Sequence, residues 1–206
     1  MSAPVIKLHR GDLPANVGFG SAVAIDTETM GLNPHRDRLC LVQLSAGDGT
    51  AHLVQIVPGG PEPVRLKTLL QDEKILKIFH FARFDIAALY QGLGVVTAPV
   101  YCTKIASKLA RTYTDRHGLK DLAQEVLGLE LSKQQQSSDW GAAELTQQQQ
   151  AYAAHDVLHL HAIKDRLDAM LAREGRTQFA AEAFRFLPVR AQLDLAGFAD
   201  EDIFAH

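Results

Sequence analysis

Apolar residues in the first half of the chain fall in short unbroken runs, whereas in the second half they recur at helical spacing. Val5-Ile6-Lys7-Leu8 is a short possible strand, followed by turns rich in Gly, Pro and Asn. Val23-Ala24-Ile25 is β-branched and apolar at consecutive positions, the pattern of a strand buried on both faces. It runs on into Asp26-Thr27-Glu28-Thr29. From Met30 to Arg38 the residues Gly31, Asn33 and Pro34 predict a loop. Leu39–Ser45 and Ala51–Ile56, joined by the tight turn Gly47-Asp48-Gly49, predict two more strands and an antiparallel meander.

Pro58–Pro63 reads as a surface loop and Leu66–Leu70 as a short helix. Ile75–Phe79 returns to the sheet and is ended by His80. Ala82–Tyr90 has helical spacing and is stopped by Gly92 and Gly94, with Val95-Val96 as a further short strand. Helices are then predicted over 101–111, over 119–127 with Gly128 as the C-terminal cap, and over 146–173 as one long helix. A last helix is predicted over 177–186, stopping before Pro188. The Ser/Gln-rich piece 132–139 is a loop between helices.

Strands first, helices later and one strand–helix crossover between them predict an α/β fold: a mixed β-sheet flanked by α-helices. With 206 residues the chain is expected to form a single domain with its core over about 20–173. The segment 177–206 ends in Leu193, Leu195, Phe198, Ile203 and Phe204, too apolar for a free terminus. It is expected to dock on this domain or on a neighbouring subunit. Apolar runs are broken by charge before membrane-spanning length, so no membrane partner is expected. The start of the chain has a basic pair with no apolar stretch behind it, and a cytoplasmic location is the default expectation. Cys40 and Cys102 lie far apart in apolar segments and are expected to be buried free thiols.

Charge narrows the partners. A net charge of −3 excludes a general polyanion binder. Residues 101–120 nevertheless carry Lys104, Lys108, Arg111, Arg116 and Lys120 against Asp115 alone, and the last residues carry Asp194, Asp200, Glu201 and Asp202. A local basic face on a mildly acidic protein suits a short anionic ligand better than a long duplex.

The candidate chemistry starts at Asp26 and Glu28. A strand has period two, so both carboxylates leave the same side of the backbone. Alone, the pair reads more readily as a strand ending in a solvated turn. Asp85 lies on the 82–90 helix just beyond a strand end, where ligands of open α/β sheets sit. Tyr152 and Asp156, four residues apart on a helix, share a face in a run of apolar neighbours. Four oxygen ligands can hold two divalent ions about 3.5–4 Å apart, the arrangement that supports in-line phosphoryl displacement. With no competing His or Cys set, Mg²⁺ or Mn²⁺ is preferred to Zn²⁺. The Tyr152 hydroxyl can orient the attacking water.

These residues carry a resemblance. Ile25-Asp26-Thr27-Glu28-Thr29-Met30-Gly31-Leu32, the Lys77–Asp85 run, and Tyr152-Ala153-Ala154-His155-Asp156-Val157 resemble the motifs of the ribonuclease D-like 3′–5′ exonucleases, which use four acids and a tyrosine. His117–Ala123 and Leu131–Trp140 resemble the linking region of the same family. Pro34–Cys40, Cys102–Lys108, Arg111–Gly118, Ser132–Trp140 and the ending from Phe186 to His206 are similar to the short bacterial nanoRNase C group. The resemblance implies a ribonuclease H-like fold. It also implies degradation of very short RNA, 5′-phosphorylated dinucleotides especially, from the 3′ end to 5′-mononucleotides by a ring-shaped homo-octamer.

Matched to the family, Asp26, Glu28 and Asp156 hold the ion that carries the attacking water, Asp26 bridges to a second ion, and Asp85 contributes there through water. Met30 and Leu32 could press on the terminal base or anchor the loop to the core. Phe81 and Phe84 could stack on a base, and His80 supports from behind. Lys104, Lys108, Arg111, Arg116, His117, Lys133, Ser137 and Ser138 are candidates for phosphate contact, with Arg111, His117 and Ser138 expected nearest a 5′-phosphate cap. Trp140 is expected to anchor its loop by packing. Two features depart from the family: no further helical domains follow as in ribonuclease D, and Phe81 stands where many relatives have Asn. Two alternatives stay open: an exonuclease on longer RNA or single-stranded DNA, and a non-catalytic RNA-binding module.

Overall fold

The computed structural model describes the whole chain except residues 1–3, 132–134 and 136. Six strands form one mixed sheet: β1 (Val5–Arg10), β2 (Ala22–Thr29), β3 (Leu39–Ser45), β4 (Thr50–Gln55), β5 (Leu76–Phe79) and β6 (Val100–Cys102). Their order is β1-β4-β3-β2-β5-β6. β3 runs antiparallel to β2 and β4, as the predicted meander requires, and the other neighbouring pairs are parallel. The helices are α1 (Val64–Gln71), α2 (Ala82–Leu93), α3 (Thr103–Ala110), α4 (Leu119–Leu127), α5 (Gln147–Leu158), α6 (Leu160–Arg173) and α7 (Thr177–Leu193). An irregular segment, Asp194–Phe198, follows α7 directly and bends at the left-handed Gly197 (φ 99°, ψ 4°).

Every residue of β3 is buried, so this strand is covered on both faces. The main core lies on the face that carries Ile25, Val42, Leu44 and Val54 and continues under α2, α6 and α7. A smaller core of Cys40, Leu41, Leu53, Trp140, Leu145 and Ala153 lies on the other face, beneath α5. Both cysteines are buried and free, as expected. Among the described residues, no helix is long and apolar enough to cross a membrane.

Four local expectations are corrected. The strand placed at Val95-Val96 forms instead at Val100–Cys102, where a helix had been predicted to begin. Gly92 does not stop α2; the helix ends at the left-handed Gly94, whose N–H donates to Tyr90 O at 2.8 Å. The long helix over 146–173 is two helices that meet at His159 (φ −108°, ψ −4°). α5 has to lie on β3 and β4 while α6 packs on α3, and one straight helix cannot serve both. Finally, α7 continues through Pro188, because Phe184, Leu187 and Ala191 on either side are buried and hold the helix on the domain. Burial on this scale outweighs the roughly 3 kcal/mol cost of proline inside a helix.

Candidate active site

The β2–β5 ladder ends at Ala24 and Ile78, so the C-terminal half of β2 is paired on its β3 side only. Asp26 and Glu28 lie in that half-paired stretch. A register shift between Glu28 and Thr29 leaves Cys40 without a partner opposite, a bulge that bends the strand end beside the acids. The alternation of β2 turns Asp26 and Glu28 toward α5, together with Leu41 and Gln43, which pair with them across β3. Thr27 turns the other way. There its hydroxyl donates to Asp85 Oδ1 at 2.7 Å, reaching the first turn of α2.

α5 supplies the remaining groups. Its start is fixed by a capping box: the Thr146 hydroxyl accepts from Gln149 N at 3.2 Å, and Thr146 N donates to Gln149 Oε1 at 2.9 Å. Gln149 Nε2 also donates to Asp139 O at 3.0 Å, and Gln150 Nε2 to Leu145 O at 2.9 Å. The glutamine run therefore ties the helix to the preceding loop. Ala153 and Ala154 bring the helix backbone close to the sheet. The Tyr152 ring lies 6.0 Å from the Trp140 ring, which steadies the phenol and makes Trp140 the packing anchor expected of it.

One carboxylate oxygen each from Asp26, Glu28 and Asp156 lies within 4.8 Å of the others. Burial pushes all four acids toward the protonated form, and repulsion from neighbouring carboxylates adds to it at Glu28, Asp85 and Asp156. Burial raises Asp26 to about 7. Burial, then the charges of Asp26, Asp156 and Asp85, raises Glu28 to about 10. Asp85 and Asp156 are also raised well above the usual carboxylate range, by burial first and by Asp26 second. Among the described residues no Lys or Arg pairs with any of the four. Oxygen donors without a balancing cation fit a hard divalent ion, which would remove the repulsion that now favours protonation. Burial and the charge of Asp156 raise the Tyr152 phenol, which therefore stays protonated and serves as a hydrogen-bond donor.

The sequence did not single out Gln43 or Thr27. Gln43 is fully buried and donates from Nε2 to Asp26 Oδ2 at 3.2 Å. A glutamine inside an apolar strand was the one available signal.

The outer candidates are placed as follows. Met30 is 52% exposed and Leu32 84%, both on the loop beyond Glu28. That loop is tightly built: a Cβ on Gly31 would run into the Asp37 carboxylate, and one on Gly141 into Met30 Sδ. Phe81 is 47% exposed, whereas Phe84 is half-buried. His80 Nδ1 bonds Thr103 Oγ1 at 2.9 Å. Arg111 corrects its expected role. It is fully buried, and its guanidinium is taken up by Glu125, by Ser107 Oγ at 2.8 Å and by Arg116 O at 2.8 Å. A guanidinium so engaged has no free edge for a phosphate. His117 Nδ1 lies 2.9 Å from the same Ser107 hydroxyl, so Arg111 supports His117 rather than joining it at a ligand. Ser138 Oγ donates to Gln135 Oε1 at 2.6 Å, and Ser137 is exposed. Lys133 lies outside the described residues.

A family model described as 3′–5′ exonuclease matches residues 12–172. The chain belongs to the 3′–5′ exonuclease family. The likeness to several solved structures extends over nearly the whole chain. Brucella melitensis NrnC bound to pGG is 56% identical, with a TM-score of 0.96 over 99% of this chain and 100% of that one. The same protein with bound Mg²⁺ is 56% identical, with a TM-score of 0.94 over 98% and 99%. The ribonuclease D of Gluconacetobacter diazotrophicus is 35% identical over 159 residues, 77% of this chain but 40% of that protein. The chain thus spans about two-fifths of the length of that relative.

Proposed function

We propose that the protein is a 3′–5′ exoribonuclease that hydrolyses very short RNA, dinucleotides foremost, to 5′-mononucleotides. The observation that carries the reading is the convergence of Asp26, Glu28 and Asp156 within 4.8 Å, near enough to the Tyr152 phenol for their charges to raise it. The full-length likeness to a protein bound to pGG supports the substrate class. Two divalent cations, Mg²⁺ or Mn²⁺, would be held by Asp26, Glu28 and Asp156 on one side and by Asp26 and Asp85 on the other. When bound, they would lower the pKa of a water and offset charge on the attacking and leaving oxygens.

The protein's own part is positional. Tyr152, protonated and packed on Trp140, orients the water toward phosphorus. Gln43 and Thr27 fix the rotamers of Asp26 and Asp85. The bond broken is that between phosphorus and the 3′-oxygen of the preceding nucleotide. We also propose a ring-shaped homo-octamer, supported by the exposure of Phe179 (68%) and Phe204 (69%) on α7 and the tail. A light-scattering mass of one subunit would rule it out.

Turnover of 5′-phosphorylated RNA of two, three, five and twenty nucleotides, beside matched DNA, tests the reading in wild type and Asp26→Ala. Fastest release of mononucleotide from the dinucleotide, lost in Asp26→Ala, is the expected result. Equal or faster turnover of the longest RNA would return the longer-substrate alternative. No metal-dependent release from any of them would return the binding module.

A further inference from the structure

Trp140 is the chain's single tryptophan and is 3% exposed, yet its buried indole Nε1 has no hydrogen-bond partner among the described residues. A buried N–H left unpaired is costly, and such an atom marks a place where an acceptor is wanted. Trp140 lines a cavity of about 200 Å³ where the ends of β1 and β4 and the start of β3 meet the 140–143 loop. Gln55 Nε2 donates to Ala142 O at 2.9 Å and holds that loop against the strand end. None of Asp26, Glu28, Asp85, Tyr152 or Asp156 lines the cavity. The indole nevertheless connects the two places, because its ring lies 6.0 Å from that of Tyr152.

The charge in the cavity is positive. Arg10 and Arg38 both line it, and neither pairs with a carboxylate among the described residues. Arg38 donates to Leu39 O at 3.4 Å and to Gly141 O at 3.3 Å, long contacts that leave its charge unanswered. Asp139, the acid on the adjoining loop, accepts on Oδ1 from Gly141 N at 3.0 Å. Two guanidinium groups and a neutral N–H suit a ligand with two negative charges and several acceptor oxygens, which a phosphate has and a carboxylate lacks. A second cavity of about 380 Å³ adjoins the first and shares Arg38, Ile56, Val57 and Pro58 with it. A phosphate in the first can therefore carry a sugar and base into the second.

We propose that this cavity is a second anion site, apart from the catalytic acids, that binds a phosphate group, either free or on a mononucleotide. Arg10 and Arg38 supply the charge and Trp140 Nε1 the buried donor. A ligand here touches the ring that supports the Tyr152 phenol, so the site lies directly behind the catalytic centre. It stands on the cavity, the unpaired cations and the orphaned indole, and does not depend on the exonuclease reading; that reading adds that mononucleotides are the molecules the protein itself would release.

A single tryptophan makes the test direct. Indole fluorescence of the full-length protein is titrated with inorganic phosphate, with 5′-AMP and with adenosine, at fixed ionic strength set by chloride. Excess EDTA is present throughout, so that the catalytic acids hold no ion and repel a phosphate. Phosphate and 5′-AMP should each give a saturable change and adenosine none; tighter binding of 5′-AMP assigns the ligand to the nucleotide, and equal binding assigns it to phosphate alone. Arg10→Gln and Arg38→Gln should each weaken binding roughly tenfold or more, the range of a hydrogen bond to a charged group. Trp140→Phe, followed by calorimetry, should weaken it roughly two- to tenfold by removing the donor while keeping a ring against Tyr152. Absence of saturable binding, an equal response to adenosine, or binding unchanged in both arginine variants would overturn the site. These titrations need no turnover, so a protein that releases no mononucleotide from any RNA defeats the exonuclease reading and leaves their outcome standing.

Discussion

Gln43 lies directly across the β2–β3 ladder from Asp26, and its side-chain amide donates to Asp26 Oδ2 at 3.2 Å while its own Oε1 has no partner. The amide fixes the Asp26 carboxylate from the side. Its carbonyl is buried and unsatisfied, a cost of the order of 1–3 kcal/mol carried by the metal-free protein. Gln43→Leu removes the cost and the support together. The expected result is a melting temperature equal to or above wild type with a roughly ten- to hundredfold loss of Mg²⁺ affinity or turnover. A thermal melt and a metal titration of the same variant check it; unchanged metal affinity would mean that Asp26 needs no such support.

The acids also set a pH dependence. Folding raises Asp26 to about 7 and Glu28 to about 10, with Asp85 and Asp156 raised as well. A carboxyl whose folded pKa lies above its unfolded one binds more protons when folded. Metal-free stability therefore falls as pH rises from the unfolded value near 4 through the raised values. A divalent ion replaces those protons, so its stabilisation grows over the same window. Melting temperatures in excess EDTA should decline from about pH 5 to about pH 9 while the gain on adding Mg²⁺ widens. Asp26→Asn should melt higher than wild type in EDTA and lose much of that gain. A gain that does not vary with pH would contradict this account.

Tyr152→Phe keeps the ring that packs on Trp140 and deletes the donor. Fold and metal binding should survive, with kcat reduced by about a hundredfold or more and KM little changed. Calorimetric metal binding beside steady-state kinetics separates the two effects. A parallel loss of metal affinity would assign Tyr152 to holding the acids instead.

Arg83, two residues before Asp85, and Arg190 both hold Asp194, which is 11% exposed on its side chain. They also donate to the carbonyls of Phe198 and Ala199. Asp194→Ala leaves two cations facing each other at the end of α7 and should cost about 1–3 kcal/mol in urea unfolding. Asp194→Asn should lie between the two. A cost below about 0.5 kcal/mol would show the tail to be a passive passenger.

What could be read in advance was what depends on local pattern. The β2 alternation put Asp26 and Glu28 on one face, and the four-residue spacing put Tyr152 with Asp156, because both periods are properties of the backbone. Gly128 capped α4 at φ 70° as expected. What escaped depends on which strands are neighbours. Gln43 matters because register sets it opposite Asp26, and Thr27 because α2 returns beneath the sheet. Arg111 looked like a phosphate ligand because its neighbours are basic; only the approach of α4, with Glu125, turned it inward. The break at His159 carries no Gly or Pro, since packing directions rather than propensity demand it.

Asp26, Glu28 and Asp156 meet in space although most of the domain's chain lies between the first and the last. During translation Asp26 and Glu28 are made long before Asp156, and α5 can lie on the sheet only after β3 and β4 have formed. A growing chain therefore holds an incomplete cluster while it is still tethered beside the messenger RNA that encodes it. Self-assembly from distant segments acts as a delay, and hydrolytic capacity arrives with the last third of synthesis rather than the first.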